Sequence, residues 1–133
     1  MNNNERADLF LKQLDDALYN NNVLPRNQQA YSDTYIIIDS DIVVYWYKNI
    51  IAILHNHGDT IIIRIPSVSD MRGEQIAKIN MILRHYALPS IKHSTIIGFY
   101  YRDIPSKKQI ALDSSIIAPY MAINERTFRL EKS

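Results

Sequence analysis

Apolar residues recur at spacings of three and four near the start of the chain, which predicts an amphipathic helix over residues 5–20. A polar run at residues 20–22 ends this helix, and the polar residues that follow read as a connector leading into a sheet. The apolar stripe of the predicted helix consists of Ala7, Phe10, Leu11, Leu14 and Leu18.

Between residues 34 and 66 the apolar positions are those of β-strands. Runs rich in Ile, Val and Tyr alternate with short polar breaks that are typical of hairpin turns, so we predict an antiparallel meander of about four strands. Three isoleucines follow one another at 36–38, and three more at 61–63. Both faces of this sheet are therefore apolar and must be buried against other structure. The helices can cover one face, and a partner subunit can cover the other. The four predicted strands are residues 35–39, 42–47, 50–55 and 60–65.

A second helical pattern and a second β half follow. Apolar residues at helical spacing predict a helix over residues 70–88, and residues 91–130 form the second β half. The predicted polar face of this helix carries Gln75, Lys78, Asn80 and Arg84. In the second half, strands are expected at residues 91–102, 109–112, 116–121 and 127–130.

The predicted fold class is therefore α+β, in a single domain over residues 1–133. The fold consists of an antiparallel meander sheet in two halves and an additional N-terminal helix. About four strands precede a crossing helix, and three to four strands follow it.

The chain has 133 residues and no cysteine, which excludes disulfides, cysteine nucleophiles, thiolate zinc sites and iron–sulfur clusters. The 22 isoleucines against three glycines agree with a β-rich fold and suggest a bacteriophage or a low-GC bacterial source.

The first residues are polar, and no apolar run approaches the about 18 residues needed to cross a bilayer. We therefore expect a cytoplasmic protein, in the host cytoplasm if the chain is phage-encoded, with no membrane partner.

Charge is unevenly distributed along the chain although the net charge is only +1. Residues 72–108 are locally basic, and two runs of aromatic residues, at 45–48 and 99–102, each end with a cation. Single-stranded nucleic acid is held by such combinations of stacking rings and cations. Because alternate residues of a strand face opposite sides, about half of these rings belong to the core. The candidate residues for binding nucleic acid or a protein partner are Trp46, Lys48, Lys92, Tyr100, Tyr101, Arg102, Lys107 and Lys108.

Catalytic motifs are sparse. The tripeptide at residues 93–95 matches the His-x-Thr of two-histidine phosphoesterases, in which His93 and Thr95 would act on a phosphodiester. That chemistry needs a second such tripeptide, and the chain has none. His55 and His57 have no evident third metal ligand, so we expect no metal and no cofactor.

Three segments follow one another as a strand, a Gly/Asp turn with a second strand, and a helix. They are Lys48-Asn49-Ile50-Ile51-Ala52, Gly58-Asp59-Thr60-Ile61-Ile62-Ile63 and Ile79-Asn80-Met81-Ile82-Leu83. This order resembles a pattern of small uncharacterised tailed-phage proteins, and the resemblance implies a phage source rather than an activity.

The order of four strands, a helix and three to four strands is similar to that of Whirly and Pur-alpha proteins, which bind single-stranded DNA or RNA across their sheets. In this chain Lys48 and Ala52 echo the lysine-led motif that Whirly proteins carry near the second strand. The similarity implies a nucleic-acid surface on the sheets, although fold alone does not assign function.

The sequence thus favours a non-catalytic, phage-type accessory protein that binds a host or virion protein stoichiometrically. Single-stranded nucleic-acid binding is the alternative, and a phosphoesterase that uses His93 is an outside alternative. Strands with two apolar faces also predict a homo-oligomer.

Overall fold

The computed structural model describes residues 1–57, 60–65, 73–94, 98–102, 107, 109–111 and 129–130. These residues form two α-helices, a short 3-10 helix and strands in two antiparallel sheets, which confirms the predicted α+β class. The helices are α1 (Asn3–Asn20), the 3-10 helix Arg26–Gln28 and α2 (Gly73–His85). The strands are β1 (Thr34–Asp39), β2 (Asp41–Trp46), β3 (Asn49–His57), β4 (Thr60–Arg64), β5 (Lys92–Ser94), β6 (Gly98–Arg102), β7 (Gln109–Ala111) and β8 (Arg129–Leu130).

Helix α1 begins two residues earlier than the sequence pattern predicts because Asn2 caps it. The Asn2 side chain accepts a hydrogen bond from the Glu5 backbone at 2.8 Å, and the Glu5 carboxylate accepts one from the Asn2 backbone at 3.0 Å. At the other end Asn21 adopts a left-handed conformation, φ 53°, which stops the helix.

The first sheet has the order β1-β2-β3-β4-β8, and its first four strands form the predicted meander. The register shifts between Val44 and Tyr45, which pair with Ala52 and Ile50, so the extra residue Ile51 forms a β-bulge in β3. Strand β3 continues through His57, which pairs with Thr60, so the strand extends two residues beyond its predicted end at residue 55. The predicted C-terminal strand is also placed differently, because β8 pairs with β4 and not with the second β half.

The two faces of this sheet differ. One side, the core face, carries fully buried residues that pack against both helices. Examples are Ile36, Val44, Leu54 and Ile63, all at most 1% exposed, which join Phe10 and Leu14 of α1 and Ile79 and Ile82 of α2.

Helix α2 departs from the prediction on its polar face. Gln75 is buried, at 8% exposure. Asn80 fixes the chain that follows the helix, since its side-chain amide donates to the Ile91 carbonyl at 2.9 Å and accepts from the Ile91 N–H at 2.7 Å. This pair of bonds sets the start of the second sheet.

The second sheet has the order β5-β6-β7. The single strand predicted over residues 91–102 is wrong, since β5 and β6 are separate strands that pair antiparallel. The strand predicted at residues 116–121 lies outside the described residues. The observed order of elements therefore matches the predicted order through the first four strands and α2, and β8 differs from it because it pairs in the first sheet.

Within the described part of the chain, neither helix is long and apolar enough to cross a membrane.

Candidate functional site

The side of the first sheet opposite the core face, here called the outer face, is also apolar. Its side chains follow from the strand register, because residues that pair across strands share a face and alternate positions along a strand share a side. The middle row runs across the sheet as Ile37, Val43, Ile53 and Arg64. The apolar residues of the outer face are Tyr35, Ile37, Val43, Tyr45, Ile50, Ile53 and Ile62.

Exposure varies across the outer face. Ile37 is 38% exposed and Ile50 is 37% exposed, whereas Tyr35 and Val43 on the same face are buried, at 9% and 8%. Ile53 and Ile62 are half-buried. Partly exposed apolar side chains that share one face mark an interaction site more often than isolated apolar side chains do.

An aromatic stack stands at one corner of the outer face. The rings of Tyr35 and Tyr45 are parallel within 5°, with centroids 5.1 Å apart. The guanidinium of Arg26, from the 3-10 helix, lies 3.7 Å from the centroid of the Tyr35 ring. This cation–π contact holds an exposed positive charge at the rim of the outer face.

A charged group lies toward the other end of the strands. Asp41 bonds His55 Nδ1 at 2.7 Å through one carboxylate oxygen, and accepts from Arg64 Nη2 at 3.1 Å through the other. These three side chains come from β2, β3 and β4, so the group bridges three strands on one face. Asp39, at the end of β1, adds an exposed carboxylate to the same rim.

The first predicted aromatic run lies at the β2–β3 hairpin. The Trp46 ring is half-buried against the core and contacts the edge of Tyr47, with centroids 4.8 Å apart. Among the described residues no acceptor reaches the buried Trp46 Nε1. Lys48 is exposed in the turn itself. Trp46 and Lys48 therefore belong to the first sheet and not to the second.

Three of the other predicted residues come together on the second sheet. Lys92 pairs directly with Tyr100, and Arg102 lies two residues further along β6 on the same face. Lys92 and Arg102 are exposed and Tyr100 is half-buried. Arg102 also donates to the Lys107 carbonyl at 2.7 Å, which places the exposed Lys107 beside it. We call Lys92, Tyr100 and Arg102 the Tyr100 face.

Tyr101 is a correction to the predicted site. It is 0% exposed and belongs to the hydrophobic core, because it points to the side of β6 opposite Tyr100. It is therefore not available to stack on a ligand, and one surface shared by Trp46, Tyr100 and Tyr101 does not form. The predicted Lys108 lies outside the described residues.

A further lysine is engaged by an aromatic ring. Lys78 Nζ lies 3.3 Å from the centroid of Tyr31, and burial lowers the pKa of Lys78 although the nearby Asp33 opposes this effect. The contact of Lys78 with Tyr31 thus links α2 to the connector, and the Lys78 ammonium is not free to bind a phosphate.

The four histidines of the chain are spread over the fold. His93 is exposed in β5, while the other strands of its sheet contain no histidine. His55 bonds Asp41, His57 ends β3, and His85 bonds Asp15 at 2.9 Å. Nothing in this arrangement favours the phosphoesterase alternative. Within the described ranges no group of three or more His, Asp or Glu could hold a metal ion.

The residues that sequence reasoning missed are those of the outer face, above all Ile37, Arg26 and Asp39. The run of three isoleucines at 36–38 showed that both faces are apolar, but only the pairing of β1 with β2 shows which isoleucines face outward. No local sequence pattern indicated that Arg26 contacts Tyr35, because the turn of the connector brings the two residues together.

No protein-family model, curated protein or solved structure matches the chain.

Proposed function

We propose that the chain is a non-catalytic accessory protein that binds a protein partner stoichiometrically through the outer face. The observation that carries the proposal is the exposure of Ile37 and Ile50 on an apolar face of the sheet that lies away from the helices. For a phage-encoded chain, the partner is a host protein, a virion protein or another copy of the chain.

The composition of the outer face suits a protein interface. Interfaces combine an apolar centre with aromatic and arginine anchors and a polar rim. The outer face has isoleucines and valine at its centre, the Tyr35–Tyr45 stack with Arg26 at one corner, and the Asp41–His55–Arg64 group at the other. Burying two isoleucine side chains that are now partly exposed would contribute about 1.5–3 kcal/mol each at most.

Site-specific photocrosslinking tests this proposal. A photoreactive amino acid replaces Ile37 in one protein and Tyr19 in a control, because Tyr19 is 56% exposed but lies on α1. Both proteins are irradiated in host lysate. We expect an adduct of defined mass from position 37 alone, with either another protein or a second copy.

The substitution Ile50→Lys should abolish that adduct, since it places a charge in the apolar surface without touching the core. Absence of an adduct from position 37, or the same adducts from both positions, would show that the outer face is not the binding surface.

The Tyr100 face supports a second candidate, the binding of single-stranded nucleic acid. The supporting observation is the cross-strand pair of Lys92 with Tyr100, with Arg102 on the same side. A base stacked on Tyr100 would gain about 1–3 kcal/mol, and the two cations would contact phosphates.

Fluorescence anisotropy with a short labelled oligonucleotide, at low and high salt, tests the second candidate. Tyr100→Ala should weaken binding by about fivefold to 150-fold, and Lys92→Ala should reduce the salt dependence. Lys12→Ala, on the exposed side of α1, should change neither quantity. Binding that is absent, or that does not respond to salt, excludes this candidate.

A further inference from the structure

The rim of the outer face carries opposite charges at the two ends of one edge strand. Arg26 lies over Tyr35 near the start of β1, and Asp39 ends the same strand. Both charged side chains are exposed. Ile37 lies midway between Tyr35 and Asp39, two residues from each, or about 6.6 Å along the strand.

A two-fold axis makes this arrangement self-complementary. An axis parallel to the sheet and perpendicular to β1, placed over Ile37, reverses the direction of β1 in the second copy. Asp39 of each copy then faces Tyr35 and Arg26 of the other, and the pairing occurs twice because the interface is isologous. The middle rows meet each other, so Ile37 contacts Ile37 of the second copy.

We infer that the protein surface bound by the outer face is the outer face of a second copy of this chain, in a two-fold dimer that pairs Arg26 with Asp39 at both rims. This inference rests on the proposed function of the outer face as a protein-binding surface. It narrows the partner from proteins in general to the chain itself.

The remaining charges of the outer face fit the same arrangement. Arg64 belongs to the middle row and so lies near Arg64 of the second copy, but Asp41 bonds each Arg64 at 3.1 Å and offsets its charge. The cross-strand rows on the two sides of the axis also face each other, so Asp41 of each copy lies over Tyr45 of the other. Asp41 keeps its bond to His55 of its own copy. Two sheets packed face to face stand about 10 Å apart, which the isoleucine and valine side chains of both middle rows can fill.

Charge reversal tests the pairing. Light scattering after gel filtration should show a dimer for the unaltered chain, and Arg26→Glu or Asp39→Lys alone should raise the dimer dissociation constant by tenfold or more, since each variant juxtaposes like charges twice. An equimolar mixture of the two variants should recover the dimer, because the new carboxylate at position 26 of one variant then faces the new ammonium at position 39 of the other. The second rim of that mixed dimer keeps the unaltered Arg26 facing the unaltered Asp39. Asp8→Lys, exposed on α1, is the matched control and should not alter dimerisation.

Thiol crosslinking gives a second measurement that does not depend on charge. The chain has no cysteine, so Ile37→Cys introduces a single thiol that faces its counterpart across the axis. Because sheets packed face to face hold their backbones about 10 Å apart, which is too far for a disulfide, a short bismaleimide is the suitable reagent. It should link two copies through position 37, and Tyr19→Cys, exposed on α1, should give no link. A monomer at all concentrations, or a dimer that the charge reversals leave unchanged, would overturn the inference.

The two proposals fail in distinguishable ways. A photoadduct between position 37 and a different protein, together with a monomeric chain, overturns the dimer and leaves the function of the outer face intact. Absence of any adduct at position 37, together with slow thiol labelling of Ile37→Cys in a monomer, overturns both.

Discussion

The side-chain amide of Gln29 binds both backbone groups of Ile36, as a neighbouring strand would. Gln29 Oε1 accepts from the Ile36 N–H at 2.7 Å, and Gln29 Nε2 donates to the Ile36 carbonyl at 3.0 Å and to the Leu24 carbonyl at 2.9 Å. Strand β1 is an edge strand, and unpaired edges invite the addition of strands from other molecules. The connector therefore protects this edge at Ile36.

A second glutamine holds the connector in place. Gln13 of α1 accepts from the Ala30 N–H at 2.9 Å and donates to the Gln28 carbonyl at 3.2 Å. Gln13 thus attaches the connector to α1, and Gln29 attaches it to β1. Both side chains act through backbone groups, and such contacts give no hydropathy pattern in the sequence.

We expect Gln29→Ala to lower the free energy of unfolding by about 1–2 kcal/mol, because it removes three hydrogen bonds to the backbone, of which the two to Ile36 are partly buried. Urea denaturation measures this change. The variant should also self-associate more at high concentration, measured by static light scattering, because the edge at Ile36 is uncovered. Gln28→Ala is the control, since Gln28 takes part through its backbone carbonyl. Equal stabilities of the two variants would contradict the role assigned to Gln29.

Ser40 joins β1 to β2 in a strained conformation. Its φ of 65° lies in the left-handed region, which costs a non-glycine residue about 1–2 kcal/mol. Ser40→Gly removes this strain but gives the unfolded chain more freedom, worth about 0.5–1 kcal/mol in the opposite sense. We expect a net stabilisation of about 0.5–1 kcal/mol by urea denaturation. Ser32→Gly, exposed and without positive φ, should not stabilise the protein, and a similar gain there would refute the explanation from strain.

The strands that could be predicted from sequence are those bounded by polar turns. β1 to β4 agree with the predicted strands within two residues at each end, because hairpin breaks interrupt their Ile-rich runs. β5 and β6 could not be separated in the same way. Residues 91–102 contain a single Gly and no Pro, Asn or Asp before residue 103, so the pattern does not show where one strand ends.

The candidate site was predictable only in part for a related reason. Alternation along β6 requires one of Tyr100 and Tyr101 to face the core, but nothing in the local sequence says which. The choice depends on residues distant in the chain, because Tyr101 belongs to the same core cluster as Ile79 and Phe10. Likewise the exposure of Ile37 follows from the helices covering the opposite face, a tertiary property.

The two adjacent tyrosines of β6 should therefore respond differently to truncation. Tyr101→Ala should lower the free energy of unfolding by about 3–5 kcal/mol, the range for large buried aromatic side chains, because Tyr101 is 0% exposed. Tyr100→Ala, half-buried, should cost less than half of that. Urea denaturation of both variants measures the two losses of stability. A larger loss for Tyr100→Ala would show that Tyr100, and not Tyr101, faces the core.

Alkaline pH should destabilise the fold through Tyr86. Its hydroxyl donates to Asp15 Oδ1 at 2.8 Å, while His85 Nε2 bonds Asp15 Oδ2, so the three side chains join α2 to α1. Burial first, and then the charge of Asp15 and the hydrogen bond to it, raise the pKa of Tyr86 far above its ordinary value of 10.0. The folded state keeps this proton at a pH where the unfolded state loses it.

The direction in which stability changes with pH follows from the number of protons that each state binds. Below about pH 10 both states hold the Tyr86 proton, and above it the unfolded state binds fewer protons. The free energy of unfolding therefore falls as pH rises, by up to about 1.4 kcal/mol per pH unit.

Tyr86→Phe should be less stable at neutral pH by about 1 kcal/mol through the lost hydrogen bond, yet should lose stability less steeply above about pH 10. Some slope should remain, because burial also raises the pKa of Tyr19 and of Tyr31. Urea denaturation between about pH 8 and 11 measures both slopes. Tyr47→Phe keeps Tyr86 and should keep the steeper slope, so parallel curves for the Tyr86→Phe variant and the unaltered chain would exclude Tyr86 as the group responsible.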